Sequence, residues 1–185
     1  LINDQRFAER AEIIREKGTN RSQFFRGQVD KYTWIDLGSS YLPGEIIAAF
    51  LWAQMGEAEL ITQRRLDIWN SYHRELDPLE LSGKARRPIV PDGCQHNAHM
   101  YYLLLQGFDQ RTSFINDMKV QGISCVFHYV PLHSSPAGNK FGRVHGELTV
   151  TEDLADRLVR LPLWVGLDCH VNQIISSIYV VESHN

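Results

Sequence analysis

Cysteine is scarce in this sequence. Cys94, Cys125 and Cys169 are the only three in 185 residues, an odd number, far apart and with no Cys-x-x-Cys spacing. That excludes a disulfide framework and a zinc ribbon, and it points to a reducing compartment, the cytoplasm. Long apolar runs are also missing. No stretch approaches the roughly 20 apolar residues of a membrane-crossing helix, and no signal peptide is legible. Basic runs are missing too. Arg64-Arg65 and Arg86-Arg87 are pairs only, and the net charge is -3, so the chain has no electrostatic footprint for nucleic acid. No Ser/His/Asp order or paired-carboxylate spacing stands out, which leaves hydrolase chemistry without support.

What remains is an ordinary globular composition, 43% hydrophobic and 22% charged, long enough to bury a core. The chain opens on Leu1-Ile2-Asn3-Asp4 with no Met. This reads as the end of a strand and a turn, so the expectation is a piece of a longer protein.

Asp4 is placed to cap a helix through about Lys17, with Phe7, Ala8, Ala11 and Ile14 at helical spacing and Gly18 as its stop. Residues 19–42 read as a long irregular loop. Pro43 suits the first turn of a helix, and apolar residues then recur from Ile47 to Leu76 until Pro78. This predicts either one helix of roughly 50 Å bent near Gly56, or two ordinary helices. Residues 79–96 form a connector and 98–105 a buried strand. Asp109 caps a helix with Phe114, Ile115 and Met118 on one face. Residues 123–130 form a second strand and 131–149 a loop. Thr151 caps a short helix. Asp168 caps a last one, with Val171, Ile174, Ile175, Ile178 and Val181 inward. The four tryptophans and Cys125 read as packing residues. The pattern is α+β.

Two segments carry chemistry. Gly38-Ser39-Ser40-Tyr41 is a glycine turn feeding a helix, where N–H groups and hydroxyls suit a phosphate; plain serine capping is the competing reading. His128-Tyr129-Val130-Pro131-Leu132-His133 closes a strand, a rigid place from which to reach a ligand. With His96 and His99 the two histidines make four imidazoles, which leaves zinc or ordinary surface and core histidines as the alternatives. No further ligand stands at metal spacing, so no metal site is assigned.

Taken in order, these segments resemble the DegT/DnrJ/EryC1/StrS family of nucleotide-sugar aminotransferases, on the fold type I scaffold that binds pyridoxal phosphate (PLP). The family pattern runs Gly-Tyr-Asn-Tyr-Arg, then Ala-Ala and Gln-Leu in the next helix, a His-Tyr-x-Pro-Leu-His strand end, and Leu-Pro-Leu before a last helix. Here these are Gly38-Ser39-Ser40-Tyr41-Leu42, Ala48-Ala49, Gln54-Met55, His128 to His133 and Leu161-Pro162-Leu163. The likeness covers the whole chain but only the C-terminal half of a family member. Arg26-Gly27-Gln28-Val29-Asp30-Lys31-Tyr32-Thr33-Trp34 and the Gly-Ser-Ser-Tyr-Leu turn resemble the enterobacterial branch. That branch moves an amino group from glutamate to C4 of dTDP-4-keto-6-deoxyglucose for enterobacterial common antigen and lipopolysaccharide sugars.

The resemblance implies an α+β C-terminal small domain of a fold type I PLP-dependent transferase, with a long connecting helix and a small, mostly antiparallel sheet covered by helices. Residues 1–42 would be a remnant of the large PLP-binding domain with an active-site loop, and 43–185 the connecting helix and small domain. In the family PLP sits on a lysine near a Gly-Gly-Glu-Gly-Gly run, upstream of this chain. None of Lys17, Lys31, Lys84, Lys119 and Lys140 has that neighbourhood. No catalytic residue is therefore assigned, and the chain alone is expected to be inactive. Ser40 and Tyr41 would reach the PLP phosphate of the partner subunit in a homodimer. Leu42 stands where the family has Arg and loses one charge contact. His128, Tyr129, His133 and Arg26 would touch the nucleotide-sugar substrate. Three alternatives stay open: a non-catalytic α+β binding or dimerisation module, a PLP-binding regulatory homologue, and a 3-amino sugar enzyme. A piece folding alone would expose apolar faces near Phe24, Phe25, Trp34, Phe50 and Trp52.

Overall fold

A computed structural model describes residues 1–184, the last of them by its backbone only. The chain divides into two compact units, Leu1–Glu57 and Ala58–Asn185.

In the first unit the Asp4 carboxylate accepts the Arg6 N–H at 3.0 Å and starts a 3-10 turn, Gln5–Phe7, that runs into α1 (Ala8–Arg15). The helix stops because Lys17 and Gly18 turn left-handed, at φ 64° and 78°. Gly18 is required twice over: a Cβ there would lie 1.7 Å from the Asp36 carbonyl oxygen. The stretch expected to be irregular holds α2 (Arg21–Phe25). Its start is fixed from outside, because the Glu16 carboxylate accepts the Ser22 N–H at 3.0 Å and the Ser22 hydroxyl at 2.7 Å. α3 (Glu45–Gly56) begins after Gly44, so Pro43 lies before the helix and not in its first turn. α3 is apolar all round and buries none of its side chains.

The pattern expected over 43–76 is thus two helices. α3 closes the first unit, and α4 (Ala58–Glu75) opens the second. Pro78 starts the short α5 (Asp77–Leu81). β1 (Tyr101–Leu104) leads to α6 (Phe108–Val120), β2 (Val126–Phe127), α7 (Pro136–Phe141), α8 (Thr149–Arg157), β3 (Leu158–Leu161) and α9 (Val171–His184). Both early strands are shorter than expected. Three helix starts are also corrected: Gly107, not Asp109, precedes α6, Leu148, not Thr151, precedes α8, and Asp168 opens a 3-10 turn, Asp168–His170, ahead of α9 and does not cap that helix.

The sheet has the order β1-β3-β2 with both pairings antiparallel. Tyr101 faces Leu161 and Leu104 faces Leu158, while Val126 faces Arg160. Arg86 extends the β1 edge by exchanging two backbone bonds of 2.9 Å with Leu104. Helices pack over this sheet and seal one core. α4 contributes Ile68, Trp69 and Tyr72, α6 contributes Phe114 and Met118, and α9 contributes Val171, Ile174, Ile175, Ile178 and Val181. Each such side chain contributes roughly 1.5–3 kcal/mol of burial. Two phenols tie the layers. Tyr72 donates to the Pro162 carbonyl at 3.0 Å, and Tyr179 donates to the Glu75 carbonyl at 2.5 Å. The mixed α+β class with a small antiparallel sheet agrees with the sequence reading. Trp69 is buried as expected, whereas Trp34, Trp52 and Trp164 are exposed. No helix among the described residues is long and apolar enough to cross a membrane.

Candidate functional site

β2 ends by placing His128 and Tyr129 side by side, their rings 5.2 Å apart edge to face. The chain turns sharply there: Tyr129 has φ 43°, a left-handed conformation that a non-glycine residue adopts at a cost of roughly 1–3 kcal/mol. The Arg160 guanidinium on β3 lies 5.6 Å from the Tyr129 ring. His128 Nδ1 and Arg160 Nε are both sealed from solvent without a hydrogen-bond partner. Burial first, then the charges of Arg160 and His99, push the His128 imidazole below its ordinary value, so it is neutral near pH 7. A strained turn, a neutral imidazole and two unsatisfied nitrogens form a concentrated polar locus.

Tyr129 also lines a cleft of about 540 Å3 between the start of α6, the chain after β2, and α8. Its other walls include Phe108, Arg111, Phe127, Glu152 and Asp156. The Arg111 side chain is buried, and its guanidinium lies 4.7 Å from the Phe108 ring and 5.6 Å from that of Phe127. His133, farther along the same segment, engages α8. Its Nε2 meets Glu152 Oε1 at 3.2 Å, and it lines a second hollow of about 340 Å3 with Arg143 and Asn139.

The remaining expected site residues lie in the first unit. Ser40 bridges Glu16, and the Tyr41 N–H reaches the Arg15 carbonyl at 3.3 Å, so the turn is held by backbone while its side chains stay exposed. Arg26 makes a bidentate pair with Glu12, at 2.7 and 2.6 Å, and bonds Gln28 at 3.0 Å. That pair lowers the Glu12 carboxyl below its ordinary value. Among the lysines, Lys84 donates to the Glu182 carbonyl and Lys140 sits over the Phe141 ring, while Lys17, Lys31 and Lys119 are exposed. Among the described residues no cluster of three or more His, Cys, Asp or Glu could hold a metal.

Arg111 is the residue that sequence reading missed. Its signal was present, because Arg111, Phe114, Ile115 and Met118 share the i, i+3, i+4, i+7 spacing of one helix face. An arginine on that face is a buried charge.

Comparison with known proteins places this geometry in context. The model of the DegT/DnrJ/EryC1/StrS aminotransferase family matches residues 1–179. The "Uncharacterized protein MJ1066" of Methanocaldococcus jannaschii is 28% identical over 192 residues, covering 99% of this chain and 49% of that protein. The "Pleiotropic regulatory protein" of Geobacillus stearothermophilus is 27% identical over 183 residues, covering 98% of this chain and 44% of that one. The solved structure of Helicobacter pylori PseC, an aminotransferase involved in the biosynthesis of pseudoaminic acid, superposes with a TM-score of 0.81 at 20% identity. It covers 99% of this chain and 48% of PseC. That last likeness speaks for the fold. The chain spans about half the length of the proteins it matches.

Proposed function

Because this chain belongs to the DegT/DnrJ/EryC1/StrS aminotransferase family, we propose that it is the C-terminal half of a PLP-dependent nucleotide-sugar aminotransferase. One observation carries the reading: nearly the whole chain is matched, against less than half of each relative. The His-Tyr-x-Pro-Leu-His strand end followed by Leu-Pro-Leu and a last helix supports the C-terminal assignment. In finer terms the reading is a dTDP-4-amino-4,6-dideoxygalactose transaminase. It would take an amino group from glutamate to C4 of dTDP-4-keto-6-deoxyglucose, for enterobacterial common antigen. The segment from Arg26 to Trp34 and the Gly-Ser-Ser-Tyr-Leu turn support this. The setting is a cytoplasmic homodimer.

In this reading the chain's own residues bind and position. The Ser40 and Tyr41 hydroxyls, both exposed, would donate to the cofactor phosphate of a partner subunit. The neutral His128 and the Tyr129 phenol beside it at the end of β2 would meet the nucleotide sugar, with His133 on the same loop. Arg26 contributes to substrate binding by exchanging Glu12 for a phosphate. The residues present do not make a PLP site by themselves. Four lysines are exposed and Lys84 is held by a carbonyl, so none offers a sheltered amine for an aldehyde. No reaction step is assigned to this chain alone.

The test is to mix the chain with PLP, record absorbance from about 330 to 430 nm, trap with borohydride and read the mass. Absence of a stoichiometric adduct is the expected result. A single adduct on one lysine would overturn the half-enzyme reading. A PLP-binding regulatory homologue is the second reading, favoured by the relative named as a pleiotropic regulatory protein. Transamination by the intact protein separates the two.

A further inference from the structure

The cleft holding Arg111 has a charge arrangement that packing alone does not explain. Arg111 is 7% exposed, and its Nε is sealed from solvent with no hydrogen-bond partner. It enters no ion pair among the described residues. The faces of Phe108 and Phe127 attract the cation but give its five in-plane N–H donors no lone pairs. The two Nη groups reach the cleft, so a guanidinium this enclosed and without an ion pair is open to an anionic partner there. The lining of the same cleft includes two carboxylates, Glu152 and Asp156. Glu152 is engaged by His133 at 3.2 Å, whereas Asp156 has no hydrogen-bond partner among the described residues. Phe127, Val130 and Pro131 add apolar surface to that lining.

We propose that this cleft binds a small zwitterion of the α-amino-acid class with an apolar side chain, its carboxylate on Arg111 and its ammonium toward Asp156. A single cation facing two acids disfavours a phosphate dianion, which would gain one guanidinium and meet two like charges. The planar guanidinium fork matches a carboxylate. The aromatic and aliphatic lining takes the side chain, and a cleft of about 540 Å3 leaves room for it. This assignment needs neither a cofactor nor a second half of the protein, so it stands or falls apart from the aminotransferase reading.

The experiment is calorimetric titration of the 185-residue chain with four probes: L-phenylalanine, phenylacetate, phenethylamine and phenyl phosphate. L-Phenylalanine is expected to bind saturably, phenylacetate more weakly and phenethylamine not at all. Arg111→Gln should weaken L-phenylalanine binding roughly tenfold or more, the loss of a charge-assisted contact. Circular dichroism establishes that this variant is folded. Asp156→Asn, at an exposed position, supplies an independent arm. It should weaken L-phenylalanine several-fold and leave phenylacetate unchanged or tighter. No saturable binding of L-phenylalanine, tighter binding of phenyl phosphate, or binding indifferent to both substitutions would each overturn the proposal.

Discussion

Arg87 holds the corner where α4 meets α5, and Arg87→Met measures what that corner contributes. The side chain is 13% exposed. It reaches Asp77 at 2.5 Å and Glu80 at 2.8 Å, and it donates to the His73 carbonyl near the end of α4. The two carboxylates are 46% and 35% exposed, so each ion pair is worth only about 0.5–1 kcal/mol. The carbonyl bond adds about 1 kcal/mol. Methionine keeps the aliphatic packing, Glu80 keeps its bond from the backbone N–H of residue 87 at 3.0 Å, and Asp77 turns to water, so no buried charge is stranded. The expected loss is about 2–3 kcal/mol near pH 7, or roughly 6–12 °C in Tm, read by urea and thermal denaturation followed by circular dichroism. The loss also depends on pH. Burial raises the Glu80 carboxyl, but the Arg87 hydrogen bonds and charge outweigh it, and the net shift is downward from 4.5. A depressed folded value means this stabilisation is present above the unfolded value and lost as pH falls through the folded one. The gap between the two proteins should therefore be smaller in acid, below the ordinary carboxylate value of 4.5, than at pH 7, by about the worth of the Glu80 pair, roughly 0.5–1 kcal/mol. A gap under about 0.5 kcal/mol at pH 7, or one equal at both pH values, would refute the reasoning.

Three further outcomes follow from burial and backbone geometry. Phe114 is fully buried, so Phe114→Ala should cost about 3–5 kcal/mol in urea denaturation. Cys125 is buried, which pushes its thiol up to about 12, whereas Cys94 and Cys169 are exposed. Titration of native protein with a thiol reagent should give two fast equivalents, and the third should react only in denaturant. Gly18→Ala forces a Cβ against the Asp36 carbonyl at a left-handed φ. It should destabilise the first unit by more than about 1 kcal/mol, seen as faster proteolysis near residues 30–40 while the second unit's urea transition is unchanged.

Elements whose information is local were legible in the sequence. α9 was readable from five aliphatic residues at helical spacing, and all five are buried. α6 was readable from Phe114, Ile115 and Met118, although its start was misplaced onto Asp109 because Gly107 leaves no side-chain cap to read. α2 was hidden, since its N-terminus is satisfied by Glu16 from the preceding turn and Asn20 holds Thr33 across 13 positions. The second strand shrank to two residues because only Val126 and Phe127 find partners on β3. The histidine segment was visible as a motif. What the motif could not reveal was Arg160 beneath Tyr129 or Arg111 in the cleft, which come from β3 and α6.

The strand that occupies the middle of the sheet is the last of the three to be made. Tyr101 waits for Leu161, sixty positions later, and Val126 waits for Arg160. On the ribosome, β1 and β2 emerge with no strand between them. Their exposed backbone edges must be kept from other chains until Leu158–Leu161 clears the exit tunnel. Completion of this sheet is therefore a late, long-range event. A nascent chain stopped before residue 158 would carry two aggregation-prone edges, whatever helices it had already formed.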